Sequence, residues 1–466
     1  MQVGVGQVDI TPRLGTPLCG QPFPCKAQGV HSRLFARAMC LADAHTRVVL
    51  VSADLVLIPN ELVAQARAAV AHATGVPERH VILCATHTHS GPSTIAVLGS
   101  DTDAAYVDAL GQHIVDAATQ ACQQTRDATL SVAKGRVEGY AHNRRFIMSD
   151  GTIQTHPLKL DPHTVQPEGP PSTGLAVWHA ADAAGHSLAA AVNFGCHATV
   201  MERRNERISA DFPGAIADHV TGALGGQAAT LFLQGACGNI CQVDPLDPAR
   251  REVGEKWVRT MGHAIGERAV ELILNESTPA TGPLRVVTET IDIPRRQAAP
   301  ELVQWAKRHQ PLGADPPRLS DYGVERYGEI QPPAVSLAEL FHTPYWADFY
   351  ANEIQTLERM RAEQPVLPLT IKVVAQDNWA MVTLPCELFV EWGRAICEHS
   401  PFEHTAVVEL ANGWNGYIPT RKAFERQGGY ETKEVTSTML VPEAGAMVLK
   451  TVLLLLDRAK GQQTSP

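Results

Sequence analysis

The stretch Val81-Ile-Leu-Cys-Ala-Thr-His87-Thr-His89-Ser-Gly-Pro92 joins an apolar strand to a His-x-His pair and a Gly-Pro stop. Side chains two residues apart on a β-strand point to the same face, so the spacing predicts that His87 and His89 converge on one point. Two convergent imidazoles suit a metal ion. The alternative is a pair of structural histidines that hydrogen-bond at a strand–turn junction, since a neutral imidazole both donates and accepts.

Strand-like apolar runs alternate with helix-like stretches along the chain. Residues 47–53 precede a helical pattern at 61–74, and residues 188–194 precede one at 212–224. This alternation predicts an α/β fold, with a large single catalytic domain, a covered mixed sheet and a metal site at strand carboxyl ends. We expect this domain to span residues 1–460, followed by a disordered polar tail at 461–466.

Residues 294–365 break the alternation and are predicted to form a helical insertion. They contain many prolines and a helical pattern at 345–363. We expect the aromatic side chains of this insertion to cover the metal cleft; they are Trp305, Tyr322, Tyr327, Phe341, Tyr345, Trp346 and Phe349. The alternative is a helical pair that packs on itself, because aromatics at helical spacing usually belong to a core.

Polar side chains also follow other apolar runs. His197 lies in Ala191-Val-Asn-Phe-Gly-Cys-His197-Ala-Thr-Val-Met201, beyond a second strand, and Glu387 follows a third. In an α/β active site, several different strands typically carry functional side chains at their carboxyl ends. Taken alone, Glu387 fits a helix N-terminus equally well. Asp211 precedes a helix, where it either caps the N-terminus or orients a metal-binding imidazole through a hydrogen bond.

Composition indicates a globular protein with a small-molecule partner. The 466 residues are 44% hydrophobic and 19% charged, with a net charge of −10 and no long acidic or basic run. We therefore expect no nucleic-acid partner and no stable membrane association, and a homo-oligomer stays open. The first twelve residues lack the pattern of a signal peptide, and the ten cysteines fit reduced thiols, which predicts a cytoplasmic location. The gap between Cys237 and Cys241 is unlike that of most zinc hooks.

Four segments resemble, in order, motifs of the N-terminal catalytic domain of the neutral, non-lysosomal ceramidases. They are Val3-Gly-Val-Gly-Gln-Val-Asp9-Ile-Thr-Pro12, Gly29-Val-His31-Ser-Arg33-Leu-Phe-Ala-Arg37-Ala, Val51-Ser-Ala-Asp54-Leu and Ala85-Thr-His87-Thr-His89-Ser-Gly-Pro92. The likeness continues to about residue 440.

The resemblance implies a role for each matching residue. The ligands of one Zn²⁺ ion would be His87, His197, Glu387 and Tyr417, the last in Gly416-Tyr-Ile-Pro-Thr420. His89 and Arg144 would act on the substrate beside the metal, and Tyr417, if it does not bind the ion, would be a further catalytic hydrogen-bond donor. The chain departs from the family where Arg145-Phe146 replaces Ser-Pro after Arg144, and where residues 234–239 replace a serine-containing segment.

The sequence therefore predicts a zinc-dependent hydrolase that cleaves an amide (N-acyl) bond with metal-activated water. We recognise neither a secretion signal nor the C-terminal immunoglobulin-like domain of long ceramidases, so we expect a soluble acylated small molecule rather than ceramide. One alternative is a zinc-dependent esterase or deacylase of a small metabolite or carbohydrate. Another is a non-catalytic relic that binds a metal or ligand without turnover.

Overall fold

The computed structural model describes residues 1–20, 24–96, 100–201, 205–226, 228–313 and 344–461. Its α-helices are α1 (Asn60–Thr74), α2 (Ala104–Gln123), α3 (Asp211–Ala223), α4 (Glu255–Glu271), α5 (Pro300–Arg308), α6 (Pro344–Glu363), α7 (Val390–His399), α8 (Arg421–Arg426) and α9 (Ala444–Lys460). Local signals set several helix ends. The side chain of Asp103 accepts the backbone N–H of Tyr106 at the start of α2, and Gly75 ends α1 in a left-handed conformation.

The strands are, in chain order, β1 (Gln2–Asp9), β2 (Pro17–Leu18), β3 (Cys25–Lys26), β4 (Gly29–Val30), β5 (Phe35–Ala42), β6 (Arg47–Ala53), β7 (Val81–Ala85), β8 (Arg126–Asp127), β9 (Thr129–Arg136), β10 (His142–Asn143), β11 (Arg145–Met148), β12 (Ile153–Thr155), β13 (Thr164–Pro167), β14 (Gly174–Ala181), β15 (Ser187–Phe194), β16 (Arg207–Ile208), β17 (Ala229–Gln234), β18 (Ile240–Cys241), β19 (Thr278–Pro279), β20 (Arg285–Pro294), β21 (Val366–Ala375), β22 (Trp379–Thr383), β23 (Glu387–Leu388), β24 (His404–Val408) and β25 (Tyr417–Ile418).

Three larger sheets organise these strands. Sheet A has the order β7-β6-β5-β1-β8, sheet B the order β17-β15-β14-β9-β19, and sheet C the order β20-β21-β22-β24. Each sheet ends in a parallel pair, β6/β7, β15/β17 or β22/β24, and its other neighbours are antiparallel. The fold is thus mixed α/β as predicted, but the expectation of one sheet is wrong. Apolar runs locate strands without specifying which strands hydrogen-bond to each other.

Each large sheet has one face on helices and the other on a shared central core. Helices α1 and α2 cover sheet A, α3 and α4 cover sheet B, and α5, α6 and α9 cover sheet C. The central core takes side chains from all three sheets, such as Leu50 from A, Trp178 from B and Trp379 from C. The two tryptophans meet edge to face with centroids 5.8 Å apart, a contact of about 0.5–1.5 kcal/mol.

The segments that follow the parallel pairs are tied to one another. Cys84 of β7 forms an isolated antiparallel bridge with Ala411, and Thr88 forms a parallel bridge with Ala198. β23 pairs in parallel with β25, which sets Glu387 beside Tyr417. These pairings bring segments from the three sheets to one place.

The described part of the 294–365 insertion consists of α5 and α6, which pack on each other and on sheet C. Trp346 is buried in α6, whereas Trp305 of α5 is 41% exposed. Tyr322, Tyr327 and Phe341 lie outside the described residues. Whether the insertion covers the site therefore stays a prediction.

No helix among the described residues is long and apolar enough to cross a membrane.

Candidate metal centre

His87, His89 and His197 form one cluster, in which one nitrogen from each ring lies within 4.8 Å of the others. His87 follows β7 by two residues and adopts a left-handed φ of 67°, so the His-x-His pair is not on the strand. The prediction that strand alternation makes the two imidazoles converge is therefore wrong in its reason. A turn brings them together, and the backbone N–H of His89 is held by the carbonyl of Ala198 at 3.0 Å.

All three imidazoles use Nδ1 toward a backbone carbonyl. Their partners, at 2.7–2.8 Å, are the carbonyl oxygens of Val56 for His87, Gly20 for His89 and Cys237 for His197. A carbonyl oxygen accepts but cannot donate, so each Nδ1 carries the hydrogen and each Nε2 presents a lone pair. The Nε2 atoms of His87 and His89 lie 3.4 Å apart. The cluster thus directs lone pairs toward one another.

Gly20 is required at its position. Its φ is 81°, and a Cβ there would lie 2.4 Å from Nδ1 of His89. The backbone can therefore approach the imidazole and accept its hydrogen.

Glu387 contributes an anionic oxygen to the same space. Its Oε2 lies 3.4 Å from Nε2 of His87 and 3.2 Å from Nε2 of His197, and its Oε1 accepts the indole N–H of Trp414 at 2.8 Å. In the described part of the chain, neither Oε2 of Glu387 nor Nε2 of His197 has a hydrogen-bond partner. Burial opposes ionisation, but His87 and His197 hold the pKa of Glu387 well below its usual range.

The electrostatics favour the neutral form at His197 and His89, and a neutral imidazole is the form that binds metals. Burial and the charges of Arg144 and His87 hold the pKa of His197 well below its usual range, against the opposing effect of Glu387. Burial and the charge of His87 lower the pKa of His89 to about 3, although the bond to Gly20 and the charge of Glu387 oppose this.

These donors fit a divalent cation. Buried lone pairs on nitrogen and oxygen that face each other without a shared hydrogen need a positive charge between them. In a tetrahedral zinc site with bonds of about 2.0–2.1 Å, ligand atoms lie roughly 3.3–3.4 Å apart. The separations of 3.4 Å and 3.2 Å between Oε2 of Glu387 and the Nε2 atoms of His87 and His197 match that spacing.

Tyr417 and Arg144 lie against the cluster. The rings of Tyr417 and His197 stack at 6.5 Å with an interplanar angle of 13°. Nη2 of Arg144 donates to the Tyr417 hydroxyl at 3.3 Å and to the carbonyl of Gly238 at 2.8 Å. Burial and the charge of Glu387 raise the pKa of Tyr417 well above its usual value, against the effect of Arg144. The structure thus gathers every predicted site residue except Asp211.

Among the described residues Asp211 makes no hydrogen bond to the clustered imidazoles, so of its two predicted roles the one at the start of a helix fits its contacts. Its oxygens accept the backbone N–H groups of Met201 at 3.0 Å and Phe212 at 2.6 Å, where α3 begins. Nδ1 of each imidazole does not need a carboxylate partner, because a backbone carbonyl already accepts its hydrogen bond. Burial raises the pKa of Asp211 to about 6.

The thiols of Cys237 and Cys241 do not point to a common ligand. Cys237 Sγ donates to Oε1 of Glu409 at 2.9 Å, and Cys241 Sγ contacts the carbonyl of Val243 at 3.7 Å.

Glu409 is a site-supporting residue that sequence reasoning missed. It follows β24 and is fully buried, and its Oε2 accepts the backbone N–H groups of Cys237 at 3.1 Å and Leu388 at 2.8 Å. Cys237 provides the carbonyl that orients His197, and Leu388 adjoins Glu387. One carboxyl group therefore fastens two segments that carry cluster residues. A charged residue inside the apolar run Ala406-Val-Val-Glu409-Leu410 was the available signal.

Fold and site together define an α/β protein with a buried histidine cluster that could hold a metal ion. The chain belongs to the neutral/alkaline non-lysosomal ceramidase family, whose N-terminal domain matches residues 1–243. The resemblance found in the sequence motifs is thereby confirmed. The match includes the three histidines and Arg144, whereas Glu387 and Tyr417 lie beyond it.

Several known proteins are similar to this chain. Neutral ceramidase A of Dictyostelium discoideum is 29% identical over 225 residues, which is 46% of this chain and 30% of that protein. The neutral ceramidase of Mycobacterium tuberculosis is 28% identical over 254 residues, which is 48% of this chain and 36% of that protein. These matches therefore span about a third of each relative's length. The crystal structure of neutral ceramidase from Pseudomonas aeruginosa superimposes with a TM-score of 0.71 at 20% identity, covering 100% of this chain and 75% of that one.

Proposed function

We propose that the chain is a zinc-dependent hydrolase that cleaves an N-acyl bond of a soluble small molecule. The observation that carries this proposal is the cluster of Nε2 lone pairs facing the Oε2 atom of Glu387 in a buried site. The family and its relatives, which are named ceramidases, support an amide as the scissile bond. The net charge of −10 favours a soluble substrate over an anionic lipid surface.

In the proposed site, His87, His197, Glu387 and Tyr417 would hold the zinc ion. Zinc supplies a nucleophile at neutral pH, because it lowers the pKa of water from 15.7 to about 7. His89 adjoins these residues, with its Nε2 atom 3.4 Å from that of His87. The claim that His89 is not itself a zinc ligand is therefore a separate part of the proposal.

The chain's own side chains would handle the proton and the developing charge. Nδ1–H of His89 is fixed on the carbonyl of Gly20, so Nε2 is the atom that would accept a proton and pass it to the leaving nitrogen. Arg144 is a buried cation beside the cluster, where it would stabilise negative charge on the acyl oxygen. If Tyr417 does not bind the ion, its hydroxyl, held by Arg144, would instead be a second donor to that oxygen.

Metal removal and a substrate panel test this proposal. Purified protein is analysed for metal, depleted with a chelator, and assayed on matched N-acyl and O-acyl compounds that include short-chain and long-chain ceramides. We expect hydrolysis of a soluble amide that is lost on depletion and restored by zinc. His197→Ala should abolish metal binding, whereas His219→Ala, at a half-buried histidine of α3 paired with Glu267, should not.

Each other outcome contradicts a specific part of the proposal. Turnover of esters alone makes the protein an esterase or deacylase. Metal binding without turnover of any acyl compound makes it a binding protein. Full activity after complete metal removal contradicts the metal mechanism itself.

A further inference from the structure

The guanidinium group of Arg144 is held by three hydrogen bonds. Nε donates to Oε1 of Glu431 at 2.9 Å, and Nη2 donates to the carbonyl of Gly238 and to the Tyr417 hydroxyl. In the part of the chain that the structure describes, Nη1 is the one nitrogen of this group without a hydrogen-bond partner. Arg144 is 2% exposed, and its hydrogen bond to Glu431 fixes the orientation of the guanidinium group.

Glu431 is itself fixed by a second arginine. Its Oε2 accepts Nη1 of Arg145 at 3.0 Å and the Thr155 hydroxyl at 2.7 Å, and the side chain is fully buried. Arg145 also donates from Nε to Glu168 at 2.5 Å. Gly429 makes room for this contact, because its φ is 69° and a Cβ there would lie 2.3 Å from Nη1 of Arg145.

The charges in this group balance. The cations Arg144 and Arg145 face the carboxylates of Glu431 and Glu168, so neither arginine is a buried charge without a counterion. Burial would neutralise Glu431, but the two arginines hold its pKa below the usual range. A carboxylate between two arginines can fix both guanidinium planes, because Arg donates in a rigid fork.

We propose that Glu431, supported by Arg145, is a positioning residue that orients Arg144 so that Nη1 faces the reacting acyl group. This inference rests on the proposed function of Arg144 as the cation beside the acyl oxygen. Neither Glu431 nor Arg145 touches the substrate in this proposal.

A double-mutant cycle tests whether Glu431 acts through Arg144. Glu431→Gln should lower kcat about 10–100-fold with little change in KM and with metal content retained, because a small misplacement of a catalytic group has effects of this size. In an Arg144→Ala background, the same change should lower kcat less than 2-fold. Equal losses in both backgrounds would mean a structural role and would overturn the proposal.

Charge-conserving and control variants sharpen the cycle. Arg145→Lys should keep more of kcat than Arg145→Met, because it retains a cation beside Glu431 but not the fork of donors, and Arg145→Met should resemble Glu431→Gln. Glu252→Gln is the matched control, since Glu252 is a buried carboxylate paired with Lys159 in another part of the chain. It should leave kcat unchanged. Equal activity of Arg145→Met and wild type would contradict the role of Arg145.

Nitrogen-15 NMR of the arginine side chains gives a test that needs no substrate. In wild type, slow rotation about the Nε–Cζ bond should give Arg144 separate Nη1 and Nη2 signals, assigned by their loss in Arg144→Lys. The signals should merge in Glu431→Gln or, if that variant does not fold, broaden in Arg145→Met. A freely rotating Arg144 in wild type would overturn the positioning proposal. A fixed Arg144 in a protein without hydrolase activity would instead contradict the proposed function.

Discussion

Replacing Glu409 with leucine should weaken the fold, whereas Glu409→Gln should be nearly neutral. Leucine leaves the buried N–H groups of Cys237 and Leu388 without an acceptor, at about 1–3 kcal/mol each, so the free energy of unfolding should fall by about 2–6 kcal/mol. Glutamine keeps one oxygen for both amides. Because burial and the charge of Glu387 hold the pKa of Glu409 well above its usual value, glutamine also resembles the protonated acid. Its cost should be below about 1 kcal/mol.

The same pair of variants should differ in metal affinity. The two amides belong to segments that orient His197, through the Cys237 carbonyl at 2.8 Å, and Glu387. Loss of such a supporting contact usually lowers metal affinity about 10–100-fold. We expect this loss for Glu409→Leu and less than about 3-fold for Glu409→Gln, measured by zinc competition with a chelator. Urea unfolding of metal-free protein gives the stability difference. A leucine variant with wild-type stability, or a glutamine variant as unstable as the leucine variant, would contradict the proposed role of Glu409.

Three further predictions concern other side chains. His87→Ala should lose tight zinc binding and hydrolysis together, and full metal content in that variant would contradict its role as a ligand. Arg144→Ala and His89→Ala should each keep the metal while kcat falls about 10²–10³-fold. If Arg144→Ala instead raises KM at unchanged kcat, Arg144 only binds the substrate. If His89→Ala loses the metal, His89 is a ligand. Burial lowers the pKa of Lys372 to about 7, so the folded chain binds fewer protons than the unfolded chain above that pH and stability should rise with pH. In wild type the free energy of unfolding should rise by on the order of 3 kcal/mol between pH 7 and 9.5, and Lys372→Met should remove this rise. Urea unfolding measures it, and equal slopes of stability against pH in the two proteins would contradict the prediction.

Element positions were largely predictable because apolar runs are local signals. The predicted strand at 47–53 is β6, and the helical pattern at 345–363 is α6 with one more residue. The assembly of three sheets was not predictable in this way, since antiparallel and parallel partners are chosen by contacts between distant residues. Lys372 illustrates the limit, because its ammonium group bonds the carbonyls of Arg79 and Val81 nearly 300 residues away.

The predicted site residues came mainly from motifs, and the structure shows what the motifs leave out. His87 and His197 were placed together by the rule that strands deliver side chains to their carboxyl ends. The carbonyl partners of the imidazoles could not be predicted from the sequence, because any residue type can provide a backbone carbonyl. Glu409 and Glu431 were missed for another reason, since each acts across segments that are distant in sequence.

Anomalous X-ray diffraction from zinc-loaded crystals, at energies on both sides of the zinc absorption edge, locates the metal and its ligands. We predict one zinc peak per chain, bonded at about 2.0–2.2 Å to the Nε2 atoms of His87 and His197 and to the carboxylate of Glu387. A peak bound by other residues, or a cluster that stays empty when zinc is in excess, would contradict it.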